Sequence, residues 1–226
     1  KIVTRMDHRS GGDRSQDVKV PVTFAAPAPV PRLELSPASD LWMKGQAMTW
    51  LLLGRTARAM DVFEQMVQRF PQESYPRASR AHLHAQAGRH AQALEDFDAL
   101  LQLKPEDART WFNKGFVLEQ LERWDEALAA FRRATELSPK LDRAWYGLGL
   151  VLIRMQRFDE AIVALKRNTE LQPMSPYGWY QLARVHVDRK QPDEAVKIIR
   201  HLKGFEPKVA AQLERETGLL VGGTGP

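Results

Sequence analysis

Residues 143–149 read RAWYGLG, and two other stretches echo them: RTWFNKG at 109–115 and YGWYQLA at 177–183. The first residues of the three stretches are 34 apart each time. Glycine inside a helix costs about 1 kcal/mol relative to alanine, so a helical stretch that keeps one needs a compensating contact. A fixed period of this length makes internal repetition the first thing to test.

Laid on a 34-residue ruler from Asp40, the chain divides into five blocks: 40–73, 74–107, 108–141, 142–175 and 176–209. Position 20 is Ala in every block (Ala59, Ala93, Ala127, Ala161, Ala195), and position 32 is Pro in every block (Pro71, Pro105, Pro139, Pro173, Pro207). Position 8 is always small (Ala47, Ala81, Gly115, Gly149, Ala183), and position 24 is always large and apolar (Phe63, Phe97, Phe131, Leu165, Ile199). Position 4 is Trp in three blocks: Trp111, Trp145 and Trp179. This pattern predicts two antiparallel helices per block. Small residues at 8 and 20 let the backbones approach, and large ones at 4, 11 and 24 fill the space beside them. Gly149 is then a packing glycine. The proline at 32 prevents the second helix from continuing. RWDEA at 123–127 and RFDEA at 157–161 put an Asp near the start of a second helix, where it is expected to cap N–H groups and favour the helix dipole.

The pattern resembles that of the tetratricopeptide repeat family. Blocks 108–141 and 142–175 carry it most fully: Trp111, Gly115, Ala127, Phe131, Ala134 and Pro139 in one; Trp145, Leu148, Gly149, Ala161 and Pro173 in the other. The departures are Met43 and Arg77 at position 4, and Met66, Leu100, Asn168 and Leu202 at position 27, where the family is usually small. They predict looser or adapted packing, most of all at the N-terminal end. The resemblance implies an all-α fold, a right-handed superhelix of five repeats. After it, KVAAQLERETGLL from Lys208 reads as the terminal cap that solenoids need, with Val209, Leu213, Leu219 and Leu220 inward and Glu214, Arg215 and Glu216 in water. GGTGP at 222–226 reads as a loose tail.

Residues 1–39 have another texture. SGGDRS at 10–15 and AAPAPVPR at 25–32 predict an extended arm or linker. Between them, Val18, Val20, Val22 and Phe24 alternate as in a strand, and Pro21 restricts that strand to an edge or an isolated peptide. The chain starts at Lys1 rather than Met, so an upstream segment is compatible with the sequence.

Composition removes several function classes. There is no cysteine among the 226 residues, which excludes disulfides, thiolate metal sites and cysteine nucleophiles and leaves cytoplasm and periplasm both open. No apolar run is long enough to span a membrane. His82 and His84 are two apart and so point to different helix faces, unlike an i, i+4 metal pair. No P-loop, dinucleotide fingerprint or G-x-S-x-G is present, so neither a cofactor nor catalysis is expected. Net charge is +5, of which block 176–209 carries +3. That is too dilute for a dedicated nucleic-acid binder and compatible with acidic protein partners.

By the resemblance, first helices line a concave groove, mainly through positions 2, 5, 9, 12 and 13. In this chain the candidate contacts are Lys44, Met48, Leu51, Leu52, Tyr75, His82, Arg109, Phe112, Phe116, Arg143, Tyr146, Leu150, Arg154, Tyr177, Tyr180 and Arg184. Aromatics and arginines commonly anchor interfaces, and arginine forks suit carboxylates. An aromatic at position 5 is also what packing alone would require. The first block is instead apolar at Leu41, Met48, Leu51 and Leu52, and such a patch usually meets something. The carboxylate clamp of chaperone-binding relatives is absent in this register: Lys44 matches its first residue, but Met48, Ser79 and Asn113 do not continue it. The resulting expectation is a non-catalytic interaction module that binds an apolar and acidic peptide or protein segment. The alternatives are a structural subunit of an assembly, or a regulatory region of a longer enzyme.

Overall fold

The computed structural model describes Ile2–Val3, Pro21–Val22 and residues 38–221. Its elements are β1 (Ile2–Val3), β2 (Pro21–Val22), α1 (Ala38–Leu52), α2 (Thr56–Arg69), α3 (Ser74–Gln86), α4 (His90–Leu103), α5 (Ala108–Gln120), α6 (Trp124–Leu137), α7 (Asp142–Arg154), α8 (Phe158–Leu171), α9 (Pro176–Asp188), α10 (Pro192–Lys203) and α11 (Pro207–Thr217). The chain forms two compact units: Phe24–Ser138, and Pro139–Pro226 with Lys1–Thr23. In the first, the hairpins α1–α2, α3–α4 and α5–α6 stack through α2 on α3 and α4 on α5. In the second, α7–α8 and α9–α10 stack through α8 on α9, and α11 packs on α9 and α10.

The hairpins close as the small residues demand. Ala59, Ala93, Ala127, Ala161 and Ala195 are all 0% exposed, as are Ala47, Ala81 and Ala183 opposite. A Cβ on Gly149 would lie 2.8 Å from the Leu165 side chain, and one on Gly115 would lie 3.0 Å from the Phe131 ring. In these two hairpins the facing side chain leaves no free space for a methyl group at position 8. The larger residues at position 27 do not loosen the core. Met66, Leu100, Asn168 and Leu202 are all buried, and Asn168 Nδ2 donates to the Asp142 carbonyl at 2.9 Å.

The Trp and the Pro of the period act on each other. The indole N–H of Trp111, Trp145 and Trp179 donates to the carbonyl of Pro105, Pro139 and Pro173 at 2.8, 2.9 and 2.9 Å. Each bond ties the first turn of a helix to the loop that leads into it. Block 74–107 has Arg77 at that place. It and Arg80 turn instead to Asp96 on α4, a carboxylate 2% exposed that takes a two-pronged bond from Arg80 at 2.6 and 2.8 Å.

Position 15 of every block is left-handed: Gly54, Gly88, Glu122, Gln156 and Lys190 have φ of 68°, 72°, 57°, 59° and 58°. This is the turn between the two helices, and only two blocks use glycine there.

Some expectations need correction. Asp125 and Asp159 do not cap their helices; Arg123 and Arg157 hold the cap positions, and the aspartates sit within the first turn. There the glutamates Glu126 and Glu160 pair with those same arginines, while Asp159 receives a bond from Arg189. Pro207 does not terminate a second helix. Helix α10 ends earlier, at Lys203, and Pro207 opens α11. Glu214 and Glu216 do not face water. Glu214 pairs with Lys203 at 2.7 Å and accepts the Val221 N–H, and Glu216 accepts from Tyr180. Leu220 is exposed instead of covering the core. Of the N-terminal arm, Pro21–Val22 pairs antiparallel with Ile2–Val3 in a sheet that is all edge, as Pro21 allows. The arm or linker expected over 1–39 lies largely outside the described residues, SGGDRS at 10–15, Val18, Val20, Phe24 and AAPAPVPR at 25–32 included, as does the tail 222–226.

Gly149→Ala gains about 1 kcal/mol of helix propensity but forces a methyl into Leu165, so a net loss of about 1–2 kcal/mol is expected in urea unfolding. Gly88→Ala should lose about 1 kcal/mol through its left-handed φ, whereas Glu122→Gly, at the same place in the next block, should leave the midpoint unchanged or raise it.

Candidate functional site

In the unit Phe24–Ser138 the first helices are α1, α3 and α5. Adjacent α1 and α3 bring three of the expected residues together. The Tyr75 hydroxyl donates to Met48 Sδ at 3.5 Å, and Lys44 Nζ lies 5.6 Å from the Tyr75 ring centroid. Tyr75 is fixed from behind by an edge-on contact with Phe63 at 6.0 Å. Lys44 also bonds Asp40 at 2.6 Å, one turn earlier, so its charge is already matched and the cluster is closer to neutral than a lone lysine suggests. Met48 and Leu52 are exposed, and Leu51 is half-buried against the α1–α3 core. His82 is half-buried, its Nε2 lies 2.8 Å from Gln86, and burial pulls its pKa below the usual histidine value. On α5, Arg109 is exposed while Phe112 and Phe116 are each 2% exposed. Phe112 leans on Phe131 at 5.9 Å. These two phenylalanines support the surface rather than form it.

In the unit that contains Pro139–Pro226 the first helices are α7 and α9. Arg143 is exposed; Tyr146, Arg154 and Tyr177 are half-buried; Leu150 and Tyr180 are buried. The last repeat differs from expectation most. Helix α11 lies on α9, and Glu216 accepts a 2.6 Å bond from the Tyr180 hydroxyl. Arg184 donates to the same hydroxyl at 3.3 Å and stands 5.8 Å from its ring centroid. An aromatic–arginine pair expected to await a ligand carboxylate is thus engaged by a carboxylate of the chain's own cap. Sequence reading missed Glu216 because 36 residues separate it from Tyr180 and no period relates them. Asp40, by contrast, was readable as the i−4 partner of Lys44.

Among the described residues no group of His, Asp and Glu is arranged to hold a metal ion, and no helix is long and apolar enough to cross a membrane.

Family models described as tetratricopeptide repeat match residues 41–73, 79–142 and 118–180, together more than half of the chain. The chain belongs to the tetratricopeptide repeat family. No curated protein sequence matches it. Among solved structures it is similar to MamA 41-end from Desulfovibrio magneticus RS-1, with 20% identity and TM-score 0.69 over 80% of this chain and 97% of that one. YrrB, described as a TPR protein with an unusual peptide-binding site, has 18% identity and TM-score 0.67 over 76% and 90%. TTC0263, a thermophilic TPR protein of Thermus thermophilus, has 19% identity and TM-score 0.57 over 80% and 100%. At these identities the likeness is one of fold. Tetratricopeptide repeats are protein–protein interaction modules, and this chain is one in that general sense.

Burial raises the Tyr180 pKa, with help from the Glu216 bond, from 10 to about 12. The stabilisation is complete below pH 10. It is lost as pH climbs towards about 12, because the unfolded phenol ionises first. The stability advantage of the native chain over Tyr180→Phe should therefore shrink by about 1–2 kcal/mol across that window in pH-resolved chemical unfolding.

Proposed function

We propose that this chain is a non-catalytic adaptor that holds a peptide or protein segment against its first-helix faces. The observation that carries the reading is the surface cluster Lys44–Met48–Tyr75, made by two neighbouring first helices and bordered by the exposed Leu52. A thioether and an aromatic ring beside a charge-matched lysine suit an apolar side chain. Arg109 in the same unit, and Arg143, Arg154 and Tyr177 in the other, suit acidic residues. The Glu216–Tyr180–Arg184 contact supports this chemistry, since a carboxylate is what the α9 pair already accepts. The same contact removes Arg184 and Tyr180 from the residues a ligand reaches first. The similarity to a TPR protein described as having an unusual peptide-binding site is in keeping with a peptide ligand.

The test uses a panel of fluorescent peptides that vary in apolar and acidic content, read by anisotropy. Peptides with both features should bind best. Met48→Ala with Tyr75→Ala should weaken them about 10-fold or more with an unchanged circular dichroism spectrum. Arg109→Glu and Arg143→Glu should weaken acidic peptides selectively and flatten the salt dependence. Equal binding by all variants would overturn the assignment.

A further inference from the structure

We infer that α11 is a lid latched by Glu216 over the ligand positions of α9, and that a helical segment of the same pattern displaces it. The inference rests on the reading of first-helix faces as the ligand surface. Helix α11 is not a sixth repeat in register. Helices α3, α5, α7 and α9 each start at the first position of their block, with four residues between them and the helix before. By that period α11 would start at Ala210; it starts at Pro207, after a three-residue connection. Coverage differs as well. Tyr146 and Tyr180 hold the same position on the two first helices of this unit. Tyr146 stays half-buried beside α9, whereas Tyr180 is 2% exposed beneath α11. The Tyr180 hydroxyl donates to Glu216 at 2.6 Å, and Gln212 Nε2 donates to the other carboxylate oxygen at 2.8 Å. Arg184 donates to the same hydroxyl at 3.3 Å. Positions 5 and 9 of the last repeat, both expected to meet a ligand, are thus already closed by a carboxylate.

The hold is small. Helix α11 buries Ala210 and Leu213, against four residues on α10 and seven on α9. A terminal element with so little burial opens more readily than the rest of its unit. A separate tie to α10, Glu214 to Lys203 at 2.7 Å, does not involve Glu216, so loss of the α9 bond weakens the lid without releasing it.

The lid itself describes what displaces it. Ala210, Leu213 and Glu216 recur every third residue and so share one helix face. Ala210 and Leu213 are 0% exposed in the core cluster that contains Val185 and Ile198, and Glu216 meets Tyr180. The matching ligand is a helical segment with a small residue, a leucine and a glutamate at that spacing. The tethered lid competes at an effective concentration on the order of millimolar, which keeps the site closed to weak ligands.

The probe is a fluorescent peptide with the sequence of residues 207–221, read by anisotropy on the full chain. The native chain should bind it weakly. Glu216→Gln, which keeps the length of the side chain and removes its charge, should bind it about 10-fold more tightly with an unchanged far-ultraviolet circular dichroism spectrum. The same substitution in the peptide should cost about 10-fold on that variant. Asp188→Asn removes a charge that acts on Arg184 but leaves the lid bond alone, and should shift the affinity less than about 2-fold. Met48→Ala with Tyr75→Ala should bind the probe as the native chain does, so a failure of the lid and a failure of the α1–α3 cluster are read separately. Equal affinity of the native and Glu216→Gln chains, or the same gain from Asp188→Asn, would overturn the proposal.

Discussion

Every repeat depends on two helices that meet through small side chains, Ala at position 20 and Ala or Gly at position 8. These residues are buried throughout, and at Gly115 and Gly149 the large residue of position 24, Phe131 or Leu165, lies directly over the glycine. Interiors at this density tolerate neither an added methyl nor a void. The close contact sets how the two helices of each hairpin lie, and with it where the first-helix side chains stand. The surface cluster of Lys44, Met48 and Tyr75 is downstream of it: α1 and α3 present those residues side by side because Ala47, Ala59, Ala81 and Phe63 have fixed where both helices lie.

A second set of bonds then fixes the loop that leads into a first helix. A proline that follows a helix leaves its carbonyl available, and an indole six residues later takes it. Where the indole is missing, at Arg77, the cation needs a different partner and finds it in the buried Asp96. Removing one side of such a pair leaves a charge out of water, which is why substitutions at Asp96 and at Trp111 are not equivalent even though both serve the junctions of the array.

The fold was legible because its constraint repeats. Five alanines and five prolines in phase cannot come from a chance arrangement of helices, and Gly149 announced a close contact through its propensity cost. The turn geometry was not legible. Position 15 is left-handed in every block, yet Glu122, Gln156 and Lys190 hide what Gly54 and Gly88 reveal. Nor could spacing separate packing aromatics from surface ones. Phe112, Phe116 and Tyr180 occupy the same kinds of position as Tyr75 but are buried, because burial depends on what a neighbouring element lays over them. For Tyr180 that element is α11, whose Glu216 lies outside the period altogether. Asp125 and Asp159 misled for a related reason: the residue type suits a cap, but the backbone gives the cap position to an arginine.

The missing indole at Arg77 also bears on how the molecule comes apart. A stack of repeats gains its stability from nearest-neighbour interfaces, and its ends open first. Among the described residues the α1–α2 hairpin packs on one neighbouring hairpin, and its junction with α3 lacks the tryptophan bond found at Trp111, Trp145 and Trp179. Amide hydrogens in α1 and α2 would then exchange through a smaller opening than those of α3 to α6. A ligand that bridged Met48 on α1 to Tyr75 on α3 would slow that exchange most in the hairpin that carries Met48, and so make the order of one end of the array depend on its occupancy.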